Sequence, residues 1–212
     1  MKPRVIGLSG VAGSGKDLFF EMLSQNINCE RFALADELKK EIKPFIQKEY
    51  GFDITSCDRS LKNLVRHYLV AHGETKRKVS NGRYWIDKLQ PKIEKRIVNF
   101  YLKQNNYNLN ENNNPLIPIV TDIRYNEYKK DEIYWLKEEM NGIHVHLRKF
   151  TLSENREKIF SEPANKSEER NEKILIDSAD YTIEWEQMKG SFDDKYKIMK
   201  PTIKDFVKSY LT

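Results

Sequence analysis

Gly10, Gly15 and Lys16 stand in the spacing G-x-x-x-x-G-K within the stretch GLSGVAGSGKD, Gly7 to Asp17. That spacing belongs to a phosphate-binding loop. Its glycines let backbone N–H groups converge on oxygen atoms, and its lysine reaches the β- and γ-phosphates. Gly10, Ala12, Gly13, Ser14, Gly15, Lys16 and Asp17 are therefore the candidates for holding a nucleoside triphosphate, with a plain structural turn as the alternative. The position after the lysine normally carries Ser or Thr, whose hydroxyl binds Mg²⁺. Here it is Asp17, a charged oxygen on a longer side chain. It can bind the ion directly or through water, or it can cap or salt-bridge within the first helical turn.

A second carboxylate, Asp122, ends the apolar run LIPIVTDIR. It is either a Mg²⁺ ligand or a helix N-cap at a strand–helix junction. Phosphoryl transfer needs positive charge around the transferred group, and the fork of arginine suits it. Arg66 and Arg77 flank HYLVAHGETK, Arg124 follows Asp122, and Arg148, Arg156 and Arg170 bracket a charged segment. Two or three of these are expected to touch phosphate. His144 and His146 alternate in IHVHLRKF without an accompanying carboxylate or cysteine cluster, so they read as ordinary strand histidines. His72, beside Gly73 and Glu74, is the better site candidate. Tyr84 and Trp85 read as core, with base stacking as the other use of such rings.

The elements that must position these residues follow from periodicity. Arg4–Ser9 and Cys29–Ala35 read as strands, with a helix over KDLFFEMLSQNI between them and another over ELKKEIKPFIQKEY, for which Asp36 is the expected N-cap. Leu61, Leu64, Val65, Tyr68 and Leu69 share one face of a helix over SLKNLVRHYLVAHG. Ile86, Leu89, Ile93, Ile97, Phe100 and Tyr101 continue that period, with Pro91 kinking or restarting it. Gln104 to Pro115 is an Asn-rich surface loop. Leu116–Arg124 is a strand, NEYKKDEIYWLKEEMNG a helix, IHVHLRKF a strand, and Leu152 to Asn171 an irregular lid candidate. DYTIEW is a late strand, and Thr202 with Asp205 resembles a capping box before a terminal helix. Alternating strands and helices predict a doubly wound, mostly parallel α/β sheet, with ligands beyond the C-terminal strand ends.

The chain has 212 residues, which suits one domain. With 33% charged and 39% hydrophobic residues and no apolar run of membrane length, it reads as a soluble globular protein. The short apolar stretch in MKPRVIGLSG runs straight into the glycine loop, unlike a cleavable signal. Cys29 and Cys57 form neither a metal spacing nor a disulfide framework, and the expectation is a cytoplasmic protein, of the host cytoplasm if viral. The net charge of +5, from 37 basic and 32 acidic residues, is small and scattered. It supports small polyanionic ligands over nucleic acid.

In order along the chain, IGLSGVAGSGKD, FALADELKKEI, VRHYLVAHGETKR, YWIDKL, VTDIRYNEY, NKSEE and ADYTI resemble the deoxynucleoside monophosphate kinases of bacteriophages, from about Val5 to Ile183. These are P-loop kinases of the nucleoside-monophosphate-kinase class. The resemblance implies a core over about 1–58 and 115–212, a helical acceptor-binding insertion over about 59–105, and a lid over about 150–172. It implies ATP and Mg²⁺ as cofactors, with Gly10 to Asp17 holding ATP and Asp17 a family trait. Asp36, Lys39, Arg66, Gly73, Glu74, Arg77 and Trp85 would lie on the acceptor side. Asp122, Arg124, Asn126 and Glu127 would serve metal and phosphates. The chain departs from the pattern at Leu18 (Thr in the family), at Asn165 (His), and at Glu184–Trp185, where a late asparagine is expected. Lys16, Asp122, Arg124 and Arg66 are the candidate catalytic residues, and the partners expected are small nucleotides, with a homodimer compatible. Phosphomevalonate or dephospho-coenzyme A as acceptor, or a non-catalytic nucleotide-binding regulator, are the competing readings.

Overall fold

The computed structural model describes residues 5–106 and 115–210. Its strands are β1 (Ile6–Ser9), β2 (Cys29–Phe32), β3 (Ile117–Val120), β4 (Ile143–Leu152), β5 (Lys158–Phe160) and β6 (Tyr181–Glu186). They form one sheet in the order β2-β3-β1-β4-β5, with β6 also on β4. All pairings are parallel except β4 with β5. The parallel pairings require crossovers, and the helices supply them. These are α1 (Lys16–Ser24), α2 (Leu34–Tyr50), α3 (Arg59–Leu64), α4 (Arg66–Val79), α5 (Tyr84–Asn106), α6 (Glu132–Tyr134), α7 (Lys166–Ser178) and α8 (Phe192–Tyr210). A π-turn over Trp135–Glu139 extends α6.

Strand alternation divides the core in two. Ile6, Leu8, Ile117, Ile119, Val145 and Leu147 face α1 and α8, where Phe19, Met22, Ile203 and Phe206 meet them. Val5, Val120 and Ile123 face the other way, against Trp85, Ile86 and Leu89 of α5 and Trp135 and Leu136. The expected doubly wound sheet is thus present. Phe19 packs edge-on against Trp185 (6.3 Å) and Phe206 (5.9 Å). Removing such a ring costs about 3–5 kcal/mol. Among the described residues, no helix is long and apolar enough to cross a membrane.

Several boundaries differ from expectation. The strand β2 stops at Phe32, and α2 starts at Leu34 with Ala33 as its N-cap, so Asp36 lies in the first turn and caps nothing. The helix expected over residues 60–73 is two helices, broken at Val65 (φ −105°, ψ 7°); Leu64 is consequently exposed. In contrast, α5 runs unbroken through Pro91. Residues 107–114 of the Asn-rich loop lie outside the described residues, while its first positions continue α5. The helix expected from Asn126 begins only at Glu132, where Asp131 caps it. The lid candidate contains a hairpin of β4 with β5 and the first turns of α7. The capping box before the last helix is Ser191 with Asp194, each backbone N–H donating to the other's side chain; Thr202 and Asp205 are mid-helix.

Candidate phosphate-binding site

The glycine loop joins β1 to α1 at the C-terminal edge of the sheet. Gly10 has φ +131°, and a Cβ there would lie 2.3 Å from Leu147 O, so no other residue fits. Gly15 has φ +94°, and a Cβ would fall 2.0 Å from Cζ2 of Trp185. The indole Nε1 of Trp185 donates to Ser14 O at 2.8 Å. Trp185, standing where the phage family's asparagine is expected nearby, therefore forms the floor of the loop. The N–H groups of the first turn of α1 have no intrahelical partner and, with the helix dipole, make an anion seat.

Lys16 folds back over this seat. Its Nζ donates to Gly10 O (2.6 Å), Val11 O (3.0 Å) and Ser14 Oγ (3.4 Å). Burial pushes its pKa down to about 8, assisted by nearby Arg124 and opposed by Glu168, Asp122 and Asp17. The N–H of Ala12 donates to Glu168 Oε2 of α7 at 3.2 Å. Glu168 belongs to the NKSEE stretch that carries the phage-family resemblance, but sequence reasoning assigned it no role and no contact with the loop.

Asp122 lies just beyond β3 and caps a helix remote in sequence. Leu34 N donates to its Oδ1 (2.8 Å) and Ala35 N to its Oδ2 (2.7 Å). The capping alternative is thus realised, with α2 as the recipient. Each oxygen keeps a further lone pair, so capping does not preclude a metal contact. Asp17 is largely exposed and lies 3.7 Å from Arg31 Nε. Among the described residues no three or more His, Cys, Asp or Glu side chains gather as a metal site. The donors present, two hard carboxylates beside a phosphate seat, fit Mg²⁺ that takes most of its ligands from phosphate and water.

A basic group includes two members beside the loop, Arg31 near Asp17 and Arg124 near Lys16. Arg31 donates to Asp36 Oδ2 (2.8 Å), and Lys39 donates to Asp36 Oδ1 (2.8 Å). Lys62 has a lowered pKa because of burial and because Lys39, Arg124 and Arg66 are close enough to repel its charge. Arg124 reaches Glu168 at 3.9 Å with about half its side chain exposed. Lys39, Lys62, Arg66 and Arg124 thus share one region of positive potential, in which Arg66 is exposed and, among the described residues, shows no ion pair with a carboxylate. Arg31 and Lys62 were missed by sequence reasoning; the outward position of Arg31 on β2 and the i, i+4 spacing of Lys62 and Arg66 were the available signals.

Other expected site residues are structural. Arg77 is buried and pairs bidentately with Asp131 (2.9 Å twice), reaches Glu132 at 3.2 Å, and stacks over Tyr125 at 3.7 Å. Both terminal nitrogens are held by carboxylates of the protein and the side chain is buried, which corrects its placement on the acceptor side. Gly73 is a helix-packing position, since a Cβ would lie 2.7 Å from Leu38 Cδ1. Trp85 is core and donates from Nε1 to Gly73 O at 3.3 Å, so base stacking on it is excluded. His72 meets Glu41 at 2.8 Å, in a cluster with Tyr84 and Lys88 between helices. Glu127 accepts from Asn171 (3.1 Å) and lies 3.5 Å from Arg77, tying the loop after β3 to α7 and α4; Asn126 N donates to Asn171 Oδ1 at 3.4 Å. Glu74 is half-buried on α4. The loop carrying Arg124 is shaped by buried Glu132, whose Oε2 accepts from Arg124 N (2.6 Å) and Tyr125 N (3.1 Å). Burial pushes the Glu132 carboxyl up to about 8 against the pull of Arg77.

No protein-family model and no curated protein matches the chain. Among solved structures, a dephospho-CoA kinase from Campylobacter jejuni aligns with 95% of this chain and 98% of its own, at 13% identity and a TM-score of 0.37. The protein TT1252 from Thermus thermophilus aligns with 97% of this chain and 98% of its own, at 14% identity and a TM-score of 0.36. Likeness at this level assigns neither activity nor substrate.

Proposed function

We propose that the chain is an ATP- and Mg²⁺-dependent phosphotransferase of the P-loop nucleotide-kinase type, acting on a small phosphorylated acceptor, with deoxynucleoside 5′-monophosphates as the acceptor class. The observation that carries this is the glycine loop between β1 and α1, where Gly10 and Gly15 take conformations that exclude a side chain and Lys16 folds over the seat; Lys39, Lys62, Arg66 and Arg124, near enough for Lys62 to feel the other three charges, supply a cationic region for an acceptor phosphate. A site that must hold two phosphate-bearing molecules end to end needs both. The resemblance of the sequence motifs to the phage kinases supports the deoxynucleotide class.

In this reading the loop amides and Lys16 hold the donor phosphates, which requires Lys16 to leave the carbonyls of Gly10 and Val11. Arg124 stands between donor and acceptor, where charge passes in transfer. Lys39, Lys62 and Arg66 orient the acceptor phosphate, and Asp36 holds Lys39. Asp17 and Asp122 supply oxygens for Mg²⁺, which would neutralise phosphate charge when bound. An assay with ATP, Mg²⁺ and a panel of deoxynucleoside monophosphates, phosphomevalonate and dephospho-coenzyme A tests this directly. Diphosphate formation from at least one deoxynucleotide, lost by about 10²–10³-fold in Lys16→Ala, is expected. Activity confined to another acceptor would replace the substrate class, and ATP binding without transfer would leave a nucleotide-binding regulator.

A further inference from the structure

One buried hydrogen-bond chain has no part in phosphate binding. His144 and His146 point to the same side of β4 and both touch Ser9 Oγ on β1, at 2.6 Å from His144 Nε2 and 2.8 Å from His146 Nδ1. At the far end, His144 Nδ1 lies 3.3 Å from Ser178 Oγ, which donates to Leu175 O at 3.1 Å. Ser178 therefore accepts from His144 Nδ1–H. The order of donors follows: Ser9 donates to His144 Nε2, and His146 Nδ1–H donates to Ser9. His146 is left with a bare lone pair on Nε2, a buried atom with no partner among the described residues. Burial, with His144, Arg148 and Lys16 nearby, pushes His146 down to about 3, so the ring is neutral.

That lone pair opens on a cavity of about 20 Å³ bordered by Gly10, Val11, Arg124, Glu168 and Glu172. Glu172 Oε2 is a second buried polar atom without a partner there. The space suits one water molecule. Two acceptors, a histidine nitrogen and a carboxyl oxygen, match the two protons of water, and its oxygen lone pairs are then left facing away from them. The cavity abuts Gly10 and Val11, whose carbonyls hold Lys16, so it lies beside the anion seat.

We propose that this cavity seats a nucleophilic water and that the chain has a second, acceptor-independent activity, hydrolysis of the terminal phosphoryl group of a bound nucleoside triphosphate. The proposal rests on the nucleotide-binding part of the phosphotransferase reading. The water oxygen forms a bond to the γ-phosphorus, and the bond from that phosphorus to the bridging oxygen breaks. Its electron pair leaves with the nucleoside diphosphate. One water proton passes to the carboxylate of Glu172, while the neutral His146 Nε2, held in place by the Ser9–His144–Ser178 chain, accepts a hydrogen bond from the other and orients the water. Inorganic phosphate and diphosphate are the products, and no further reactant is needed.

The test uses the full chain, γ-labelled ATP and Mg²⁺ without acceptor, with ATP binding measured separately by calorimetry and transfer measured on the best acceptor of the panel. Wild type should release phosphate slowly. Glu172→Gln, at a half-buried position, should lower release at least tenfold, with ATP affinity within about twofold and transfer within about threefold of wild type. Ser9→Ala, which removes the hydrogen bond that orients the His146 ring, should act in the same direction, and His146→Gln, checked by thermal melting, should reproduce the effect. The change in the ratio of hydrolysis to transfer is the decisive reading, because a merely structural role would lower both together. The proposal is overturned if wild type binds ATP but releases no phosphate, if release is unchanged in Glu172→Gln, or if release and transfer fall in parallel. A chain that fails to bind ATP overturns both proposals, and the binding measurement identifies that case.

Discussion

The carboxylate of Glu168, on α7, accepts a hydrogen bond from the backbone N–H of Ala12 in the phosphate loop at 3.2 Å, and the same oxygen accepts from Ala164 N at 3.0 Å. An internal anion therefore occupies a donor that a phosphate oxygen would use. Neutralising it should favour the ligand. Glu168→Gln is expected to tighten nucleotide binding by about 1 kcal/mol, a factor of about five. Calorimetric titration with ATP and Mg²⁺ reads this, and weaker binding would place Glu168 on the side of the bound state.

Asp17 and Asp122 separate stability from metal use. Asp122 accepts from two amides at the start of α2, so Asp122→Ala should lower stability by about 1–2 kcal/mol in denaturant unfolding as well as lowering turnover. Asp17 is exposed, with one long ion pair, so Asp17→Ala should leave stability unchanged. It should also move the Mg²⁺ midpoint of activity to higher concentration, with Asp17→Thr recovering part of it. An unchanged midpoint with full turnover would reduce Asp17 to a first-turn charge.

Arg66 and Arg77 sit on one helix with opposite expected behaviour. Arg66→Ala should raise the KM of the acceptor by about tenfold or more, since a charge-assisted phosphate contact is worth ~1.5–3 kcal/mol, and leave that of ATP near wild type. Arg77→Ala strands the buried Asp131 carboxylate without its cation and should cost about 3–5 kcal/mol of stability. An acceptor KM unmoved in Arg66→Ala would remove α4 from the site.

Acid should weaken the fold through two histidines. Burial holds His144 at about 4 and His146 at about 3, below the ordinary value of 6.5. Their stabilising contribution is therefore complete above pH 6.5 and is lost as pH falls from there toward 4 and 3, because the unfolded chain binds protons that the folded one refuses. At pH 5 this is about 2 kcal/mol per histidine. Melting temperature should fall from pH 7 to pH 5, and His144→Gln should flatten that slope while lowering the value at pH 7. A variant with the wild-type slope would assign the acid sensitivity elsewhere.

The phosphate loop was legible because its information is contiguous: left-handed glycines, a lysine at fixed spacing, a strand before and a helix after. Asp122 was legible as a choice between metal and cap, but its recipient helix lies 87 or 88 residues away, beyond any local pattern. Arg77, Gly73 and Trp85 were misplaced because position on a helix next to a site does not say which face meets the core. Asp131 and Glu132 escaped notice because buried acids are rare and are recognised only with their cation, here Arg77 from another helix. The strand β5 is three residues long, too short for alternation to reveal, and it exists because the long β4 offers its far end as a template.

The indole of Trp185 lies directly against the backbone of Gly15 and bonds the carbonyl of Ser14, while Trp85 and Trp135 are buried in the opposite layer. The protein thus carries a built-in fluorophore whose hydrogen-bond acceptor is the phosphate loop itself. A ligand that shifts the loop would move that acceptor, and the emission of Trp185 is expected to shift with it, whereas the other two tryptophans lie in the layer away from it. Binding of the proposed nucleotide should therefore be readable optically in the unmodified chain, without acceptor, label or turnover.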